Sequence, residues 1–248
     1  MLQAGAMIHH DALKELAPTE KLRGGIVLSP APSAFFCTKD ANGAPHGVTV
    51  DLLGAFAAML KLPLELQVYE NSGQLTDAVA GGICDVAFMP QDAERAKKVD
   101  FGAPYYFIES TYLVPAGSTI KSIDEVNRAG VRIIAIANTT TMRSARRTAP
   151  NATVTEVPSV DDMTALAKNG GGDAFALSHD SFVGLLPRLP GARVLPGYFQ
   201  QVGVAVAVPK GRPDALALAS ELLADAKASG LVRRALDAAG FKDASAAP

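Results

Sequence analysis

The chain has 248 residues, 48% hydrophobic and 19% charged, with 23 basic against 25 acidic side chains and a net charge of −2. That composition excludes a disordered chain and is long enough for one large or two modest domains. The balanced charge argues against a nucleic-acid binder, because Arg143, Arg146, Arg147 and Lys168 are too sparse to make a basic stripe and read as solvated helix faces.

Residues 1–20 lack the basic start and apolar stretch of a secretory signal, so they read as a leader segment with an incidental His9-His10 pair. Two expectations stay open: a cytoplasmic protein, or a true leader outside this sequence. No apolar run has the length of a membrane span. Leu22–Leu28 reads as a first strand. Asp51–Leu62 carries Leu52, Phe56, Met59 and Leu60 at helical spacing, and Pro63 ends it. Leu64–Tyr69 alternates as a strand does. Leu75, Ala78 and Val79 mark a short helix stopped by Gly81-Gly82, and Val86–Met89 reads as a buried strand.

A second set follows. Thr111–Val114 and Arg132–Ala137 read as extended, and Thr141–Thr148 as helical. Thr153–Val157 is a strand, Val160–Lys168 a helix broken by Gly170–Gly172, Ala174–Leu177 a strand and Ser181–Leu186 a helix. Val202–Val208 is a further strand. Pro213 opens a long helix with Gly230 just past its end, the expected proline-start, glycine-stop asymmetry. Leu231–Ala239 continues as a helix, and KDASAAP reads as a frayed tail. Strands and helices alternate nearly throughout, which points to an α/β architecture with mostly parallel sheets. No repeat of fixed period and no long polar linker is visible, so two lobes would be joined by short crossing strands.

Several chemical signals are set aside. The two cysteines, Cys37 and Cys84, make no framework; a disulfide is open, and two free thiols are favoured. Ser178-His179-Asp180 holds triad residue types, but sequence neighbours cannot face one another as a triad must. The run NGGGDAF lacks the Lys-Ser/Thr of a phosphate loop. His9, His10, His46 and His179 show no metal spacing. Asp161-Asp162 suits a helix start, where the dipole favours carboxylates. No cofactor is implied.

The most informative stretch is Gly81 to Pro115, with Asp85, Arg95, Val99-Asp100-Phe101 and Pro104-Tyr105-Tyr106 in that order. With the glycine turn and aspartate-led helix of Lys39 to Leu60, and the strand-to-helix turn of Val131 to Thr141, it resembles the bacterial extracellular solute-binding proteins, family 3. The resemblance runs from Lys21 to Phe241. It implies a two-lobed type II periplasmic-binding fold, a Venus flytrap with two crossover hinge strands. The lobes would be 21–107 with 206–248, and 108–205, with crossings near Phe107–Ser110 and Phe199–Ala205.

The resemblance also implies the site. Arg95 would grip a ligand carboxylate with paired hydrogen bonds, or else pair with Glu94 or Asp100 on the surface. Thr139 and Thr140 match paired threonines that meet the same carboxylate at a helix N-terminus, or serve as an ordinary cap. Asp180 matches an aspartate that binds an α-amino group, or caps the following helix. Ser33 stands where the family carries a stacking aromatic, with Phe35 or Phe36 as substitutes. Phe88 and Pro90 stand where it has small hydroxyl residues. Asn138 replaces a turn glycine and tolerates the left-handed conformation. These departures question the amino-acid specificity and leave an organic acid open. The implied function is the binding component of an ABC uptake system: a monomer, periplasmic, with a small-molecule ligand and a membrane permease as partners. The rivals are a dehydratase on the same fold, with Glu70, Glu109 or Glu156 as its acid, and a ligand-sensing module.

Overall fold

In the computed structural model, which describes residues 10–29, 33–241 and Ala247, the strand and helix signals resolve in chain order. Helix α1 (His10–Leu16) leads into β1 (Leu22–Val27). A small hairpin, β2 (Thr38–Lys39) and β3 (Pro45–His46), precedes α2 (Val48–Leu60). Strand β4 (Leu64–Tyr69), helix α3 (Ser72–Ala80), strand β5 (Val86–Pro90) and the short helix α4 (Ala93–Ala96) follow. The long β6 (Val99–Val114) runs into the second set: β7 (Arg132–Ile136), α5 (Thr140–Thr148), β8 (Thr153–Val157) and α6 (Val160–Lys168). After β9 (Ala174–Ser178), α7 (His179–Leu185) and β10 (Arg193–Val194), the chain returns through β11 (Gln200–Pro209). It ends with α8 (Pro213–Ala228) and α9 (Leu231–Ala238).

The strands pair in the order β4-β1-β5-β11-β6-β9-β7-β8, with β10 on the far end of β6. The flanking pairs β1/β4, β1/β5, β7/β8 and β7/β9 are parallel, as βαβ connections require. The central pairs are antiparallel, so the sheet is mixed rather than mostly parallel. The reason is topological. One strand leaves the first set and one comes back, so β6 and β11 must run in opposite directions. Strand β6 pairs with β11 from Val99 to Ser110, then with β9 from Ser110 to Leu113. This is the α/β two-lobed architecture with two crossing strands.

Local chemistry explains the ends. Lys61 adopts the left-handed conformation (φ 56°) and its N–H reaches back to the carbonyls of Ala57 and Ala58, closing α2 before Pro63. Asn71 caps α3, accepting from the N–H groups of Gly73 and Gln74, and Ser159 caps α6 through the Asp162 N–H. One apolar cluster fills the first lobe around Phe56, Phe88 and Tyr105 and continues to Ile134, Phe175 and Phe182; a second lies around Tyr112, Ile133 and Met142.

Two readings of the chain ends change. The residues read as a leader include α1, whose Leu16 is fully buried. Glu15 accepts from the N–H groups of Asp214 and Ala215, so it caps α8 from outside that helix. His9 and most of the KDASAAP tail lie outside the described residues; Ala247 is buried, and its N–H donates to the Tyr105 carbonyl at 2.8 Å. Cys37 and Cys84 are both buried free thiols, and Cys37 Sγ lies 2.9 Å from Thr49 Oγ1. Burial raises both thiols above their ordinary range.

Candidate functional site

Five of the parallel strands end on the same cleft. Ser33, Phe35 and Phe36 follow β1, Ser72 follows β4, and Pro90 ends β5. From the other side, Thr139, Thr140 and Thr141 follow β7, and Leu177 and Ser178 end β9; Ile108 comes from the crossing strand. Ligand sites in open α/β sheets lie outside the carboxyl ends of strands. The cleft cavity is about 30 Å³, room for a water or two, so an organic ligand enters only when the lobes part. A larger cavity of about 370 Å³ lies around Leu113, Leu189 and Pro190, with Lys168 its one ionisable lining residue among those described. It lacks the converging polar groups of the cleft.

Arg95 stands behind two of the cleft residues. It is 3% exposed and sits on α4, whose N-cap is Asp92. Its guanidinium donates to the Pro90 carbonyl at 2.8 Å, to Ser72 Oγ at 2.5 Å and to the Asn138 carbonyl at 3.1 Å. All three acceptors are neutral, and Nε has no hydrogen-bond partner among the described residues. Glu94 pairs instead with Lys97, and Asp100 with Lys210. Burial without an anion pushes the Arg95 guanidinium down to about 9. The far side of Arg95 faces an open groove of about 420 Å³ that also holds Asn138, Arg143 and Glu156.

The second lobe meets Arg95 at the start of α5. Asn138 has φ 59°, the left-handed conformation its side chain tolerates, and this turns the chain from β7 into α5. Thr139 caps α5: its Oγ1 accepts from the Met142 N–H at 3.0 Å and donates to the Ile136 carbonyl. The first N–H groups of a helix have no intrahelical partner, so this end favours an anion. Arg143, one turn further, pairs across the cleft with Asp92.

The sequence-predicted residues separate into three groups. Ser33, Phe36, Pro90, Thr139 and Thr140 line the cleft, and Arg95 adjoins it through Ser72 and Pro90. Asp180 is not among the lining residues. Its Oδ2 accepts from the Ala34 N–H at 2.9 Å and its Oδ1 from the Ser181 N–H at 3.1 Å, so it ties α7 to the loop after β1. Burial raises its carboxyl above the ordinary value, and the Ala34 N–H offsets part of that. Phe88 is placed elsewhere: it is fully buried, edge-on to Phe56 and Tyr105 with centroids 5.5 and 5.4 Å away. Phe88 and Pro90 share a face of β5, but Phe88 lies mid-strand against the rings of Phe56 and Tyr105, while Pro90, at the strand end, reaches the cleft. Ser72, Ile108, Thr141, Leu177 and Ser178 were missed. Four of them sit at a strand end or helix start already visible in the sequence, so asking which residues follow each parallel strand would have found them.

The family model of the bacterial extracellular solute-binding proteins, family 3, matches residues 26–238, and the chain belongs to that family. Among individual relatives, the ABC transporter glutamine-binding protein GlnH of Bacillus subtilis is 30% identical over 142 residues, 57% of this chain and 50% of the relative. The chain spans about half the length of the curated relatives it matches. Among solved structures, the solute receptor for L-cysteine of Neisseria gonorrhoeae superposes with TM-score 0.81 at 21% identity, covering 92% of each chain. An ancestral amino acid-binding protein described as a precursor of cyclohexadienyl dehydratase gives 0.79 at 24% identity, covering 91% of this chain and 98% of that one. Both confirm the two-lobed type II fold.

Proposed function

We propose that this protein is the solute-binding component of an ABC-type uptake system, closing on a small carboxylate-bearing ligand and performing no chemistry. One observation carries the reading: Arg95 is a fully desolvated guanidinium with only neutral acceptors. A buried charge is costly unless paired, and a carboxylate matches the guanidinium fork. The ligand would bind the first lobe, 21–107 with 206–248 and joined by α1. The second lobe, 108–205, would then swing about the crossings near Phe107–Ser110 and Phe199–Ala205. Closure brings up the start of α5, and the Arg143–Asp92 pair latches it.

A permease partner, a monomeric state and a place outside the cytoplasm follow from family membership as part of the proposal. No helix among the described residues is long and apolar enough to cross a membrane. A dehydratase would need an acid in the cleft. Glu156 pairs with Arg146, Glu109 accepts from Gln201, and Glu70 donates its backbone N–H to Gln74 Oε1; none of the three lines the cavity. The test is a thermal-shift screen of amino acids, dicarboxylates and aromatic acids, repeated with Arg95→Ala. Ligand at a hundredfold excess over Kd stabilises by about 2.7 kcal/mol. A shift that survives Arg95→Ala would sink the proposal.

A further inference from the structure

Pro90, Gln91 and Asp92 are consecutive, and each holds a different part of the site. The Pro90 carbonyl accepts from the Arg95 guanidinium at 2.8 Å. The Gln91 N–H donates to the Gly203 carbonyl at 2.9 Å and its Nε2 to the Gly102 carbonyl at 3.2 Å, so the loop is fixed to both crossing strands. Asp92 divides its carboxylate. Oδ1 accepts from the Arg95 N–H at 2.8 Å and caps α4, while Oδ2 accepts from Arg143 on α5 of the second lobe. Helix α4 is a single turn of four residues, too short to hold itself, so its cap decides where Arg95 stands. The Arg143 N–H donates to the Thr139 carbonyl at 3.2 Å, which ties Arg143 to the three threonines that line the cleft. The other charged groups of this groove pair within their own lobes: Glu94 with Lys97, Lys98 with Asp77, and Arg146 with Glu156. Among the described residues, Asp92–Arg143 is the one ion pair that joins the lobes, and it falls on the residue that caps the anchor's helix.

We infer that Asp92 is the positioning residue of this site. It places Arg95 through the α4 cap and, through Arg143, places the start of α5 on the opposite wall. One carboxylate thereby couples lobe closure to the anchor, although Asp92 is not among the residues that line the cleft. This rests on the reading of Arg95 as the anchor. The pair is partly exposed, 28% for Arg143 and 18% for Asp92, so salt screens it. The test is amide hydrogen exchange by NMR on the full chain, with each rate taken relative to the Ile26 N–H of β1, which reports global opening. Arg143→Gln, a change in the second lobe, should speed exchange of the Arg95 N–H in the first by about threefold to fivefold, the worth of such a pair. Asp92→Asn keeps a good acceptor for the cap and loses the charge. In that background Arg143→Gln should add nothing, the signature of two residues acting as one pair. Arg143→Lys should restore protection, and about 1 M sodium chloride, where the screening length falls to about 3 Å, should bring wild type to the variant's rate. An Arg95 N–H that keeps its wild-type rate in Arg143→Gln would overturn the inference. So would an equal effect of that change with and without the Asp92 carboxylate. No ligand is used, so the inference can fail while Arg95 remains the anchor; failure of the anchor shows separately, as a ligand response that survives Arg95→Ala.

Discussion

Replacing Arg95 with methionine should make the empty protein more stable while abolishing ligand binding. The guanidinium is held down to about 9 by desolvation alone. At about 1.4 kcal/mol per pKa unit, keeping it charged in place costs about 5 kcal/mol. Methionine matches much of its length and carries no charge. It would leave the carbonyls of Pro90 and Asn138 without their donor, at about 1–1.5 kcal/mol each. Ser72 Oγ can rotate to another partner. The net gain is about 2 kcal/mol, or a Tm rise of about 4–8 °C for a chain of this length. The assay is differential scanning calorimetry of both proteins, with and without the ligand found by screening. Wild type should gain about 2.7 kcal/mol at a hundredfold excess over Kd, and the variant nothing. A variant that melts well below wild type would refute the claim that this charge is a cost carried for the sake of binding. A variant that still responds to ligand would refute its role as the anchor.

Three further outcomes are expected. A Cβ on Gly73 would lie 2.5 Å from Asn138 Cβ across the cleft, so Gly73→Ala should block closure. It should weaken ligand binding and raise the radius of gyration in small-angle scattering without lowering Tm, since alanine favours the α3 helix. Phe88→Ala should cost about 3–5 kcal/mol in urea unfolding and leave ligand Kd unchanged in the folded fraction, because its ring fills the core and not the cleft. Asp180 has a raised carboxyl, so its proton is held more tightly in the native than in the unfolded state. Its contribution is full below the ordinary value of about 3.9 and is lost as pH rises through the raised one. Asp180→Asn should remove that loss, which urea midpoints measured from about pH 4 upward would reveal.

Local pattern was enough to read most of the secondary structure. Leu64–Tyr69, Thr153–Val157 and Val160–Lys168 stand where local pattern put them, because each is bounded by proline, glycine or a capping serine. The family, and with it the two-lobed fold, was legible from the ordered motifs around Arg95 and Thr139. What the sequence could not decide was what each side chain meets. That Arg95 would be buried without an anion depends on Ser72, Pro90 and Asn138 arriving from three separate segments. That Asp180 would be held by Ala34 depends on a contact 146 residues away. Phe88 and Pro90 differ by two positions, yet the packing of Phe56 and Tyr105 takes the first into the core, and the end of β5 leaves the second at the cleft. Local periodicity is set by neighbours along the chain. The charge, size and chemistry of the cleft are set by groups brought together only when the two lobes meet.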